Sequence, residues 1–248
     1  MRQKTQDLGS KCRWSRRLNI VLGAVSVFLA VVVAAQLFPG QTPTTAAPGE
    51  SSGSAAEQST GGGGDMEFVR RDPDDPMAIG DVNAPVVLTE WVDMRCPFCA
   101  LYSRDTLPIL IEEYVDTGQV RVEFHDVVFY GEHSENAAIA ARAAGKQDMY
   151  VEYLTTVYAA APESGHPDMP RDMLIDFAEQ AGVPDMEQFV ADLDDAQLLQ
   201  DVHASTQQAQ QLGVTAVPFF VAGNTALSGA QPVDVFREFL DQALTGTE

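Results

Sequence analysis

The stretch Asp93-Met94-Arg95-Cys96-Pro97-Phe98-Cys99-Ala100-Leu101-Tyr102, DMRCPFCALY, holds two of the three cysteines in the chain, with two residues between them. What the pair does depends on its flanks. Upstream, Pro85 to Asp93, PVVLTEWVD, is rich in β-branched and aromatic residues and is bounded by Asn-Ala-Pro, which predicts a strand. Downstream, Leu101, Leu107, Leu110, Ile111 and Tyr114 recur at helical spacing and Gly118 closes the run, predicting a helix over 100–117. Pro108 should kink that helix, because it has no N–H to give and its ring crowds the preceding turn. The cysteines therefore sit at a strand-to-helix turn.

Working outward, Gln119 to Phe129, QVRVEFHDVVF, reads as a second strand. A helical stretch follows, about 132–212, broken at Gly145, at APESGHPDMP and at AGVPD. Gly182 is a candidate helix C′ residue and Asp185 a candidate N-cap for the next helix. AVPFFVAG then reads as a strand, NTALSG as a turn with a short strand, and Pro232 to Leu244 as a last helix. This order of elements is that of an α/β sheet with a helical insertion, in one domain over 65–248.

The N-terminal quarter has another character. Leu18 to Phe38 is 21 residues without a charge, long enough to cross a bilayer core of about 30 Å. Six basic residues and one acidic residue precede it, and no basic residue follows until Arg70, which keeps residues 1–17 in the cytoplasm and sends the rest out. A cleaved signal peptide is the alternative, since Val33-Ala34-Ala35 has the small residues a signal peptidase accepts. The length of the apolar run favours an uncleaved anchor. Residues 39–64, almost all Pro, Thr, Ala, Ser, Gly, Gln and Glu, lack the apolar surface to fold and are expected to be a disordered tether. Cys12 lies on the cytoplasmic side as a juxtamembrane thiol, so Cys96 and Cys99 are the only cysteines of the exported part.

The net charge of the chain is −21, and beyond residue 38 nine basic and 35 acidic residues leave −26. That charge opposes binding to nucleic acid or to an anionic membrane surface. Lys146 is the only lysine of the exported part.

Three uses of the pair compete. A structural zinc site needs four ligands, and neither a second cysteine pair nor a close histidine pair accompanies this one, so no metal is expected. An inert clasp gains little, because the stabilisation from a disulfide grows with the loop it closes and this loop is short. Redox cycling suits the spacing. Cys96 would lie where unpaired N–H groups and the helix dipole favour a thiolate, exposed at the helix N-terminus. Cys99, one turn on, would be near enough to attack a mixed disulfide.

With IGDVNAPVVLTEWVDMRCPFC at 79–99, the kinking Pro108, the helical insertion and GVTAVPFF at 213–220, the chain resembles the thioredoxin superfamily, and more closely its DsbA-like exported thiol oxidoreductases. The resemblance covers about residues 75–245 and implies a thioredoxin fold with catalytic Cys96 and Cys99 around the dipeptide Pro97-Phe98. It also implies a cis Pro218 facing the dithiol, with Val217 offering its backbone to an extended substrate. Glu90, six residues before Cys96, stands where the family carries a buried acid beneath the dithiol. Strand alternation puts it on one face with Val86, Leu88 and Val92. A carboxyl there would have a raised pKa and would relay the Cys99 proton; the plainer role is that of a hydrated acid at a strand end. The departure from the best-known oxidases is Phe98, where they carry histidine. Arg95 is then either a substitute positive charge beside the thiolate or a surface arginine in water.

The expected activity is oxidation of dithiols in exported proteins by a monomeric, membrane-tethered domain that needs no cofactor. The resemblance implies a membrane quinone-linked partner that reoxidises it. A tethered reductase or isomerase, and a peptide-binding holdase, are the other readings.

Overall fold

The computed structural model describes residues 66–246. The predicted cytoplasmic tail, membrane segment and tether, and Cys12, lie outside the described residues. Among those described, no helix is long and apolar enough to cross a membrane.

Among the described residues five strands form one sheet: β1 (Ala78–Ile79), β2 (Val86–Val92), β3 (Val120–Asp126), β4 (Phe219–Ala222) and β5 (Thr225–Ser228), in spatial order β1-β3-β2-β4-β5. β2 runs parallel to β3 and antiparallel to β4, and the other pairs are antiparallel. All seven residues of β2 are buried, because both faces of the sheet are covered. On the face of Leu88 and Glu90 lie α1 (Pro97–Asp105) and the C-terminal helix α8 (Val233–Thr245). There Tyr102, Phe220 and Phe236 pack with ring centroids 4.6 to 4.9 Å apart. On the opposite face Trp91 meets Phe68, His125 and Phe219.

The segment before β1 is fixed to that second face by buried charge. Glu123, wholly buried, accepts the backbone N–H groups of Arg70 and Arg71 at 2.8 and 2.9 Å and the Arg121 guanidinium at 3.0 Å. Arg70 also reaches His125 Nε2 at 3.0 Å and the Phe124 carbonyl at 3.0 Å. Burial and the neighbouring arginines push the His125 pKa down to about 3, so this imidazole stays neutral and can accept from Arg70.

The helix expected over 100–117 is instead three pieces: α1, a short α2 (Leu107–Leu110) and a π-helical turn at Ile111–Val115. The ladder is interrupted at Thr106, φ −112°, two residues before Pro108, which sits in the first turn of α2 where a missing N–H costs nothing. The insertion consists of α3 (Glu132–Gly145), α4 (Tyr150–Ala160), α5 (Arg171–Ala181), α6 (Met186–Asp192) and α7 (Ala196–Gln211). Its breaks fall where expected, and a further one follows Asp192. Gly182 takes φ +83° at the end of α5, and Asp185 caps α6 through the Gln188 N–H at 2.9 Å. Lys146 joins the end of α3 to this region through Asp192 at 2.7 Å and Asp195 at 3.2 Å.

Candidate active site

The dithiol is placed by what happens where β2 stops. The Asp93 carbonyl accepts the Cys96 N–H at 3.0 Å and the Tyr158 hydroxyl at 3.0 Å. Its carboxylate accepts the Arg95 N–H at 2.9 Å, the Ser134 hydroxyl at 2.8 Å and the Phe129 N–H at 2.8 Å. One buried aspartate thus turns the chain out of the strand and ties it to the segment after β3 and to α3. Burial raises its pKa, and the N–H and hydroxyl donors pull it back.

Cys96 is the N-cap of α1, in an extended conformation, with Pro97 at the first helical position. Its Sγ accepts the Cys99 N–H at 3.4 Å and, as a thiol, donates to the Val217 carbonyl at 3.4 Å. The Val217-Pro218 bond is cis. Strand, motif and proline loop thus meet at the Cys96 sulfur. Exposure differs from expectation: Cys96 is only 1% exposed, because the Val217 loop lies against its sulfur. Cys99 is fully buried, and both thiols are free.

Their electrostatics diverge. The Cys99 thiol, followed by the N–H groups of Cys99 and Phe98, holds the Cys96 pKa below its usual value against burial and the charge of Asp93. Burial first, and then Cys96, pushes the Cys99 pKa well up. One sulfur is suited to be a thiolate and the other to keep its proton.

Glu90 is 1% exposed and in register between Phe124 and Phe220. Its pKa is raised well above the usual carboxyl range by burial and, second, by Cys96. Among the described residues Oε2 has no hydrogen-bond partner. A hydrated strand-end acid is not what forms; this is a buried carboxyl, neutral at pH values where an exposed one is charged.

Arg95 fits neither role expected for it. Its side chain is only 10% exposed. The guanidinium donates to the carbonyls of Tyr130, of Pro167 at 2.6 Å and of His166 at 2.6 Å. The His166 Nδ1 returns to the Arg95 carbonyl at 3.1 Å, and its ring stacks on Tyr130 at 3.6 Å and 18°. Burial, followed by the charge of Cys96, pushes the Tyr130 pKa up to about 12. Asp93, Tyr130 and His166 were not singled out by sequence. Strand register offered a signal for one: Asp126 pairs with Val92, so the residues after β3 leave the sheet beside the dithiol. Phe98 and Leu101, 60% and 40% exposed, form an apolar lip on α1. A cavity of about 310 Å³ lies away from this site, on the other face of the sheet around Phe68, Val87, Thr89 and Val221.

The thioredoxin family model matches residues 72–242. Over 153 residues the chain is 31% identical to the probable disulfide bond formation protein D of Bacillus anthracis, covering 60% of this chain and 70% of that one. The structure is similar to that of oxidised BdbD from Bacillus subtilis, with a TM-score of 0.64 and 23% identity over 70% of this chain and 94% of the other. It is also similar to α-DsbA1 of Wolbachia pipientis, with a TM-score of 0.61 and 20% identity over 69% and 92%.

Proposed function

Because the chain belongs to the thioredoxin family and is a thiol-disulfide oxidoreductase, we propose that it oxidises dithiols of exported proteins through Cys96 and Cys99. The observation that carries this reading is geometric: Cys96 caps α1 with its sulfur between the Cys99 N–H and the carbonyl that precedes the cis Pro218, while Cys99 is wholly buried one turn on. In the oxidised enzyme a substrate thiolate attacks the Cys96 sulfur, the Cys96–Cys99 bond breaks, and Cys99 leaves as a thiolate. A second substrate thiolate then attacks the substrate sulfur of the mixed disulfide and releases Cys96. The substrate gains a disulfide and the enzyme keeps two electrons as a dithiol. Cys96 is the better final leaving group because leaving is faster from the lower-pKa thiol.

Cys99 needs a proton as it leaves, since burial disfavours its thiolate. Glu90, neutral by burial and coupled to Cys99, is the proposed donor. Val217 and Pro218 hold the substrate. In the oxidised enzyme Cys96 has no S–H to donate, so the Val217 carbonyl is released to an extended substrate backbone. Phe98 beside the nucleophile supplies apolar contact but no charge.

The domain would act outside the cell membrane as a monomer without a cofactor, anchored by the apolar segment 18–38 and reoxidised by a quinone-linked membrane partner. Composition and charge order support this placement. The reading is tested by trapping: Cys99→Ala should accumulate mixed disulfides with exported proteins through Cys96, and Cys96→Ala should accumulate none. Trapping through Cys99 instead would reverse the roles.

A further inference from the structure

The loop between α4 and α5 has neither strand nor helix in it, yet its backbone is gripped near both ends by arginines that bracket the dithiol. Arg104, beyond Cys99 on α1, donates to the carbonyls of Tyr158 at 2.8 Å and Ala161 at 3.2 Å, where α4 ends. Arg95, directly before Cys96, donates to the carbonyls of His166 and Pro167, each at 2.6 Å, and to the Asp168 carboxylate at 3.3 Å. The Arg95 carbonyl accepts the His166 Nδ1–H at 3.1 Å, and the Met169 carbonyl accepts the His133 Nδ1–H from α3 at 3.1 Å. Arg95 also takes the Tyr130 carbonyl, and the His166 ring lies flat on the Tyr130 ring, so the segment after β3 is fixed to the same group. A planar guanidinium holding three carbonyls sets both position and angle, which a lysine ammonium does not.

Phe98, Leu101 and Arg104 follow one another at three-residue spacing, so the guanidinium that grips the start of the loop stands on the face of α1 that carries the two exposed apolar side chains. Lip and loop are therefore neighbours along one flank of α1, from Arg104 back to the dithiol. Cys96 is only 1% exposed, so a polypeptide whose thiolate reaches its sulfur has to lay the residues beside its cysteine against the surrounding surface. The Val217 loop is one part of that surface. We propose that the Phe98–Leu101 lip and the loop of residues 161–168 form a second substrate wall, which takes an apolar side chain next to the attacking cysteine of an exported polypeptide, and that Arg95 is the positioning residue of this wall. This rests on the reading that the Cys96–Cys99 disulfide oxidises dithiols of exported proteins. The lip supplies apolar area, and the exposed Pro162 and the stacked His166 ring present flat surfaces held by the two arginines. The exchange itself is unaltered: the substrate dithiol gives up two electrons and two protons and becomes a disulfide, and Cys96–Cys99 becomes the dithiol. A small dithiol reaches the sulfur without resting on the wall, whereas a polypeptide does not.

Arg95→Lys keeps the positive charge beside the dithiol and loses the fork that holds the carbonyls. The full chain is oxidised and then reduced either by dithiothreitol or by a reduced two-cysteine peptide with leucine beside each cysteine. The rates are read by acid quench, alkylation and peptide mass spectrometry at Cys96 and Cys99. The expected result is that the ratio of the peptide rate to the dithiothreitol rate falls by about tenfold, as displacement of a positioning group allows. A merely structural effect on the dithiol moves both rates together and leaves the ratio in place. Arg104→Lys releases the other end of the loop from a half-buried position, should lower the ratio in the same direction, and decides the matter if Arg95→Lys does not fold. With serine in place of the leucines of the peptide, the loss should shrink. An unchanged ratio in the deciding variant, or an equal loss with the serine peptide, overturns the proposal and leaves the oxidase reading intact. A wild-type disulfide that dithiothreitol reduces and the leucine peptide does not is instead the failure of that reading.

Discussion

Replacing Glu90 by glutamine removes a titrating proton from the centre of the sheet and should change how stability depends on pH. The carboxyl is 1% exposed between Phe124 and Phe220, with burial as the main cause of its raised pKa. In the unfolded chain it titrates near its ordinary value of 4.5. The folded state therefore binds the proton more tightly, and between the two pKa values it carries more protons than the unfolded state. Stability must then fall as pH rises through that window, by about 1.4 kcal/mol per pH unit, until the native pKa is passed. Below the unfolded value the contribution is fully present. The glutamine side chain binds no proton in either state, so the variant loses this slope. The gap between variant and parent should widen in favour of the variant by about 1.4 kcal/mol for each unit above the ordinary carboxyl value. The assay is guanidinium unfolding at pH 5, 6 and 7 in a Cys96→Ala/Cys99→Ala background, where no active-site thiol titrates. Parallel stability curves for parent and variant would mean that Glu90 is ionised in the folded state and cannot be the proton donor for Cys99. Exchange kinetics in the presence of the thiols complete the test, with Glu90→Gln expected to slow the release of Cys99.

Phe98→His should place a charge-assisted donor beside Cys96, lower its pKa and make the disulfide more oxidising, with each tenfold change corresponding to about 30 mV; an equal or more reducing potential counts against the role given to this position. Glu123→Ala leaves the buried Arg121 guanidinium without its carboxylate and frees the backbone of Arg70 and Arg71, so unfolding measurements should find a loss of about 3–5 kcal/mol. A loss below about 1 kcal/mol would show that the segment before β1 is not held this way.

Much of the scaffold was legible because it rests on local signals. β2, the helix start at the dithiol, the hairpin after Pro218 and the caps at Gly182 and Asp185 each follow from residues within a few positions of one another. β1 was missed because a two-residue strand has no periodicity to read. The helix after the dithiol was expected to kink at Pro108, and its break falls at Thr106, two residues earlier; the π-helical turn that ends it has no signature in apolar spacing. The site's surroundings were less legible for a different reason. Arg95 finds its partners 35 and 71 residues away, and Asp93 binds Phe129 and Ser134 across the sheet end. Such pairings depend on which loops leave the sheet at the same edge. For the same reason Cys96 was expected to be exposed: a helix N-terminus is open unless another loop covers it, and here the Val217 segment does.

The central claim, that the dithiol works as an oxidant, is tested most directly by equilibrating the protein in glutathione buffers and reading the fraction of Cys96–Cys99 disulfide. Cys96 has its thiolate favoured by the Cys99 thiol and then by the N–H groups of the helix N-terminus, while Phe98 provides no charge, so the potential should lie between about −120 mV, the value of a strong oxidase, and about −270 mV, that of thioredoxin. A potential at or below the thioredoxin value would contradict the account and make the protein a reductase.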